Sequence, residues 1–565
     1  MYFPEKLTIL WLKQAYKNGL DPTELIGEII KKAEAHAEKN IWIVKPSEEL
    51  ILPYIKNLPP DRNSLPLWGI PFAIKDNIDL ADVPTTAACP DYAYTPKKSA
   101  YVVNRLIKAG AIPIGKTNLD QFATGLVGTR SPYGETHNAY QPEMISGGSS
   151  SGSSISVALG MAAFALGTDT AGSGRVPAML NALIGYKPPL GSWSTSGVVP
   201  ACASLDCVTV FANNLDDAQT VDRYARGFDE ECEWSREYKI KGEKLPEKIY
   251  IPKDEPRFYG SFSELYREKW NKAVLRIERL GIPVERIDCS MFEEAALILY
   301  EGAYVAERWQ DLKEFVENNP ESTFPVTERI LRSGAKSENT AAQLFGDIHA
   351  LQRYRHTAKK LLDNAVMIMP TAGGSFTRDE VRADPITTNS LMGLYTNHCN
   401  LLDLMAIAVP ENSEDRKYPF GITIFGLGSS ENLVCAFAKR FLESESAQIA
   451  VCGLHKKNRA LEYQLTELGA EYIKSAKTSA DYRLYRLDTV PEKPGLVRTF
   501  DGGGGMIDVD IYSIPKRNFG IFIERVAMPL GIGDIRLSDG EIVKGFLCEQ
   551  QAAAGCSDIT AEGTF

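Results

Sequence analysis

Short hydroxyls set in glycine-rich turns are the residues here best suited to chemistry. From position 145 the chain runs Ile-Ser-Gly-Gly-Ser-Ser-Ser-Gly-Ser-Ser-Ile-Ser-Val-Ala-Leu-Gly, then Met-Ala-Ala-Phe-Ala-Leu-Gly, then Thr-Asp-Thr-Ala-Gly-Ser-Gly-Arg. A flexible Gly/Ser linker has this composition, but a linker does not lead directly into an apolar helix, an apolar strand and a second small-residue turn. The pattern predicts two tight loops joined by buried structure. Glycine lets backbone N–H groups approach a ligand closely. The G-x-x-x-x-G-K-[ST] pattern of a phosphate cradle is absent. The window Gly148–Gly152 imitates the G-x-S-x-G elbow of α/β-hydrolases, but no downstream Asp…His pair stands in a recognisable frame.

A serine hydroxyl is a weak nucleophile and needs a base. Histidine is scarce, with six in the chain. Lysine is therefore the candidate base, and Lys75 closes the apolar run Pro71-Phe-Ala-Ile-Lys. In isolation it reads as a solvated strand end. Burial would disfavour its charged form and lower its pKa by several units, and Ser–Lys arrangements are a variant of triad logic.

Positioning such groups needs a rigid frame. Residues 5–39 read as two helices, the second N-capped by Asp21, with Pro22 at its first position and Glu24 in the capping-box place. From Pro66 onward, short apolar runs (Ile70–Ile74, Ala111–Ile114, Ala162–Leu166, Val366–Met369, Ile422–Phe425) alternate with helical stretches, the signature of an α/β sheet covered by helices. Residues 294–318 read as one helix weakened by Gly302, and 339–363 as another. After the helix 431–442 a boundary falls near 443–447, giving domains 1–445 and 447–565. In the second, strands at 448–452, Tyr482–Leu487, Gly495–Thr499, Ile507–Ile514, Ile535–Leu537 and Ile542–Cys548 predict a smaller α+β domain. The run Asp501–Gly505 reads as a flexible turn.

With 44% apolar and 24% charged residues, the composition excludes a wholly disordered chain. The net charge of −11 disfavours nucleic acid as the main partner. No apolar run approaches the roughly 18 residues of a membrane span. The opening Met-Tyr-Phe-Pro-Glu-Lys lacks the layout of a secretory leader. Ten scattered cysteines without a C-x-x-C pair read as free thiols in a reducing compartment, so we expect a cytoplasmic protein without membrane association. His349 and His356 stand seven apart, but no third ligand or H-E-x-x-H motif accompanies them, so no metal and no cofactor are expected.

Three blocks together resemble the amidase signature family: Gly69-Ile-Pro-Phe-Ala-Ile-Lys75-Asp-Asn, Gly147-Gly-Ser149-Ser-Ser-Gly and Gly167-Thr-Asp-Thr-Ala-Gly-Ser173-Gly-Arg-Val-Pro. Lys75 and Ser149 lie 74 residues apart and Ser149 and Ser173 24, which fits the family's register; the likeness covers residues 40–440 or so. It implies an α/β/α sandwich around a mixed sheet. It implies Ser173 as nucleophile, Ser149 as a bridging serine preceded by a cis peptide, and neutral Lys75 as the base that takes the relayed proton. The backbone N–H groups of Thr170, Ala171, Gly172 and Ser173 would form the oxyanion hole. Ser150, Ser151, Ser153 and Ser154 are left to loop structure and helix capping.

The stretches 299–308, 198–208 and 543–549 with Asp558-Ile-Thr are similar to blocks of allophanate hydrolases. That likeness implies a small anionic substrate, allophanate, cleaved to ammonia and carbon dioxide in urea degradation. Tyr300 and Arg308, read as eight apart on one helix, would hold its carboxylate, and Gly125 would offer backbone groups to its amide end. Taken alone, Arg308 would pair with Glu301, Glu307 or Asp311. Ala203 stands where the family pattern has Arg, which puts a local loop contact in doubt. The likeness further implies a homodimer, a urea carboxylase partner (fused or separate), and a C-terminal domain tied to breakdown of the first product, N-carboxycarbamate. A histidine-dependent step there would fall to His455, although His455 beside Lys456 and Lys457 reads more simply as a solvated loop residue. Competing readings are another amidase, such as a glutaminase component of a tRNA amidotransferase, or a non-catalytic docking component of a urea carboxylase assembly.

Overall fold

The computed structural model describes residues 3–412, 415–490, 492–500 and 502–565; Met1, Tyr2 and Asp501, which entered the expectations above, lie outside them. The chain divides into two compact units, Met1–Lys439 and Arg440–Phe565.

The first unit is built on an eleven-stranded mixed sheet. Its strands are β1 (Trp42–Val44), β2 (Pro71–Lys75), β3 (Ile112–Thr117), β4 (Phe164–Asp169), β5 (Ile184–Lys187), β6 (Cys207–Ala212), β7 (Lys248–Pro252), β8 (Val284–Ile287), β9 (Ala365–Pro370), β10 (Leu404–Pro410) and β11 (Gly421–Leu427), in the order β1-β3-β2-β4-β6-β5-β10-β11-β9-β7-β8. β2 runs parallel to both β3 and β4, so the ends of β2 and β4 lie at the same edge. Every residue of β2, β3 and β4 is buried, as expected of strands covered by helices on both faces. Each of the five apolar runs read from the sequence overlaps a strand of this sheet.

The N-terminal segment forms the helices Ile9–Lys17 and Pro22–Ala35; Asp21 caps the second by accepting from the Thr23 N–H at 2.8 Å. One expectation fails. Residues 294–318 are not one helix but two, Ser290–Glu301 and Val305–Asn318. A Cβ at Gly302 would come within 2.7 Å of Asp347 Oδ2, and that oxygen accepts from the Ala303 N–H at 2.7 Å. A carboxylate from the helix Ala341–Leu361 thus occupies the break.

In the second unit β12 (Ser446–Val451), β13 (Glu471–Lys477), β16 (Asp508–Pro515), β17 (Leu530–Arg536) and β18 (Ile542–Cys548) form a five-stranded sheet, and β14 (Tyr482–Leu487), β15 (Lys493–Arg498) and β19 (Ser557–Asp558) a three-stranded one. The expected turn at 501–505 is anchored rather than loose at its described end, because the Gly505 N–H donates to the Tyr482 carbonyl at 2.8 Å. All ten cysteines are free. Among the described residues no helix is long and apolar enough to cross a membrane, and no His/Cys/Asp/Glu group could hold a metal ion.

Candidate active site

Lys75 ends β2 with none of its surface exposed. Its Nζ donates to Ser149 Oγ at 2.8 Å and to Thr168 Oγ1 at 2.7 Å. Burial drives its pKa down to about 7, while the carboxylates of Asp120, Asp206 and Asp169 pull the other way. A lysine in this state is substantially neutral near pH 7 and can take up a proton. Sequence reading did not foresee Thr168, because only the fold sets β4 directly alongside the parallel β2.

Ser149 follows a cis Gly148–Ser149 peptide. A Cβ at Gly148 would lie 2.0 Å from Asp120 Oδ2, so only glycine fits there. The neighbouring serines do not cap the helix Ser151–Ala158 as expected. Ser150 Oγ donates to the Thr168 carbonyl at 3.1 Å and Ser153 Oγ to the Leu166 carbonyl at 2.9 Å, tying the loop to β4.

The turn after β4 carries Ser173. Asp169, fully buried, accepts from the Gly172 N–H at 2.8 Å and the Gly174 N–H at 3.0 Å, and pairs with both Nε and Nη2 of Arg175 at 2.9 and 3.0 Å. Gly172, at φ +136°, packs against Thr396, which a Cβ would meet at 2.3 Å. The Gly172 N–H is therefore committed to Asp169, which corrects its expected place among the oxyanion donors. The N–H groups of Thr170, Ala171 and Ser173 have no backbone or side-chain acceptor among the described residues. Thr170 Oγ1 is held by Asp206, whose carboxylate also accepts from the Ala201 and Cys202 N–H groups at 2.8 and 3.1 Å. Burial raises the Asp206 pKa to about 6 against those hydrogen bonds.

Ser173 Oγ donates to the Gly125 carbonyl at 3.5 Å. The structure brings Lys75 and Ser149 into contact, but Ser149 and Ser173 share no hydrogen bond. The Ser173 hydroxyl is turned to the Gly125 carbonyl, and catalytic hydrogen bonds are often loose until substrate is bound.

Thr124, next to Gly125, meets Arg308. The Arg308 side chain is fully buried; its Nη1 donates to Thr124 Oγ1 at 3.3 Å, Nη2 to the Tyr300 hydroxyl at 3.5 Å, and its Nε has no partner. Tyr300 and Arg308 sit on different helices yet converge, the guanidinium lying 5.2 Å from the Tyr300 ring centre. Arg308 does not pair with Glu307. That carboxylate turns instead to Ser204, accepting from its N–H and its hydroxyl, both at 2.7 Å, and to Cys202 Sγ at 3.0 Å. Ser204, the neighbour of Ala203, thus anchors the loop in which the expected arginine is missing.

Arg175→Met would leave Asp169 buried without its cation. We expect a loss of about 3–5 kcal/mol in unfolding free energy, read by urea denaturation. A loss below about 1 kcal/mol would show that the pair does not hold the turn.

Residues 24–435 match the amidase family model and residues 447–565 the model for the allophanate hydrolase C-terminal domain. The chain belongs to the amidase family. As a member it is an amidohydrolase, with a large mixed sheet of the amidase fold followed by a smaller sheet domain. The structure of Kluyveromyces lactis allophanate hydrolase superimposes with a TM-score of 0.71 at 38% identity, covering 99% of this chain and 98% of that one. The urea amidolyase of Saccharomyces cerevisiae is 42% identical over 93% of this chain, which spans only 31% of that protein's length. The glutamyl-tRNA(Gln) amidotransferase A-subunit of Methanosarcina mazei is 29% identical over 73% of this chain and 91% of its own.

The second unit has its own cavity, of about 270 Å³, lined by His455 together with Gln464, Lys493, Arg525, Phe522 and Phe546. His455 is half-buried, not a solvated loop residue. Its ring lies 5.1 Å from that of Phe546 and 5.8 Å from that of Phe522, and its Nε2 is 3.0 Å from Gln464 Oε1. Burial lowers its pKa, favouring the neutral ring.

Proposed function

We propose that this chain hydrolyses allophanate through an acyl-enzyme on Ser173. The observation that carries the reading is Arg308: a fully buried guanidinium with a free Nε, no carboxylate within ion-pair distance among the described residues, and only two long hydrogen bonds to neutral hydroxyls. Burying an unpaired cation is costly. A substrate carboxylate, which guanidinium binds in bidentate fashion, supplies the missing charge. Thr124 bonds to Arg308 and its neighbour Gly125 to Ser173, so a substrate only a few atoms long spans from carboxylate to scissile amide.

Ser173 Oγ attacks the amide carbon while its proton passes through Ser149 to neutral Lys75. The amides of Thr170, Ala171 and Ser173 receive the developing oxyanion. The proton returns by the same path to the leaving nitrogen, the C–N bond breaks and ammonia departs. Water then attacks the acyl-enzyme by the same relay and frees Ser173, releasing N-carboxycarbamate. Decay of that product to carbon dioxide and ammonia is the step we assign to the second unit, with His455 as its candidate residue. A biotin-dependent urea carboxylase, fused or separate, is the proposed source of the substrate.

Ammonia release from allophanate, glutamine and simple amides tests the substrate. Arg308→Ala should lower kcat/KM for allophanate about 100-fold while changing that for a neutral amide far less. Glutamine as the preferred substrate, or an unchanged allophanate constant in Arg308→Ala, would overturn the assignment.

A further inference from the structure

Four arginines of the first unit are buried: Arg130, Arg175, Arg226 and Arg308. Two have carboxylate partners, Arg175 on Asp169 at 2.9 Å and Arg226 on Asp222 at 2.9 Å. The other two have none among the described residues, and both bind one residue, Thr124. Arg130 Nη1 donates to its carbonyl at 3.0 Å, Arg308 Nη1 to its hydroxyl at 3.3 Å. Arg130 Nη2 donates to the Pro385 carbonyl at 2.6 Å, and its Nε, like that of Arg308, has no acceptor.

The nearby carboxylates are occupied. Asp120 Oδ1 accepts from the Arg130 backbone N–H at 2.9 Å and Oδ2 from the Gly128 N–H at 3.0 Å. Asp206 is taken by Thr170 and the amides of Ala201 and Cys202. Two like charges are thus buried together with only neutral hydrogen-bond partners, while the carboxylates of Asp120, Asp206 and Glu307 act on them through space without pairing. Such a pair is unfavourable in the empty enzyme and becomes favourable when an anion enters beside it.

We propose that Arg130 is a specificity-determining positioning residue for the carboxylate end of the substrate, acting with Arg308 through Thr124. Arg308 presents its guanidinium to the carboxylate. Arg130 fixes the carbonyl of Thr124, and with it the hydroxyl that Arg308 uses, and adds a second positive charge that a carboxylate senses and a neutral amide does not. The inference rests on the allophanate reading above.

The test compares allophanate with biuret, in which a carboxamide replaces the carboxylate, for the full chain and its Arg130→Met, Arg130→Gln and Arg130→Lys variants. The readout is the ratio of the two kcat/KM values. Arg130→Met should lower that ratio about tenfold or more. Arg130→Gln, which keeps an N–H for the Thr124 carbonyl but not the charge, should lower it similarly and stands in should the Met variant not fold. Arg130→Lys should restore the ratio to within about threefold of the parent. Equal losses on both substrates, which leave the ratio unchanged, would mark Arg130 as merely structural and overturn the inference, as would full activity in every variant. A parent enzyme that does not prefer allophanate over biuret would instead overturn the substrate reading, so the two failures are distinguishable.

Discussion

Lys75→Met is expected to lower kcat/KM by about 10⁴–10⁶-fold, the range for removing a member of a nucleophile–base unit that acts as a whole. Methionine fills much of the same volume, so the buried end of β2 should stay packed. What is lost is the acceptor that receives the proton through Ser149, at the end of a 2.8 Å hydrogen bond. Lys75→Arg should be equally inactive, since a guanidinium does not deprotonate near neutral pH. The wild-type pH profile provides the companion measurement. The base must be neutral, and burial sets its pKa at about 7, so kcat/KM should fall as pH drops below 7 and level off above it. An acid limb near pH 10, the ordinary range for an exposed lysine, or a Lys75→Met enzyme within tenfold of wild type, would exclude Lys75 as the base.

The pieces of this site differ in how visible they are along the chain. Lys75, Ser149 and Ser173 were legible because each stands in a short block of small or apolar residues that can be read within its own segment, although the side chains that require glycine at 148 and 172, Asp120 and Thr396, come from elsewhere in the chain. The sheet was legible because strands buried on both faces are continuous apolar runs. Thr168 was hidden, since nothing in its own segment says that β4 lies beside β2. The break at Gly302 was misread as a weak point in one helix; a glycine takes on that meaning only when Asp347, more than forty residues on, occupies the gap. The commitment of the Gly172 amide to Asp169 was invisible for a related reason, because a glycine-rich turn advertises its N–H groups but not which way each points. His455, flanked by two lysines, looked solvated until Phe522 and Phe546 closed around it. Residue types and their spacing are written in local sequence; pairings made by tertiary contact are not.

Ser173→Ala is expected to abolish ammonia release from allophanate, a loss of about 10⁶-fold in kcat, and to abolish any burst of acyl-enzyme. The loss should be one of chemistry and not of folding. In the structure the hydroxyl has one hydrogen bond, a long one of 3.5 Å to the Gly125 carbonyl, while the turn that carries it is held by Asp169 and Arg175. Unfolding free energy should therefore change by no more than about 0.5 kcal/mol. Arg308, Tyr300 and the amides around residue 173 remain in place, so the variant should still bind allophanate with near-native affinity, which makes it a trap for the intact substrate. Calorimetric titration of the variant, alongside single-turnover ammonia release, separates binding from chemistry. Residual turnover within about 100-fold of wild type would show that another group makes the attack, and Ser149, already hydrogen-bonded to Lys75, would be the residue to examine next.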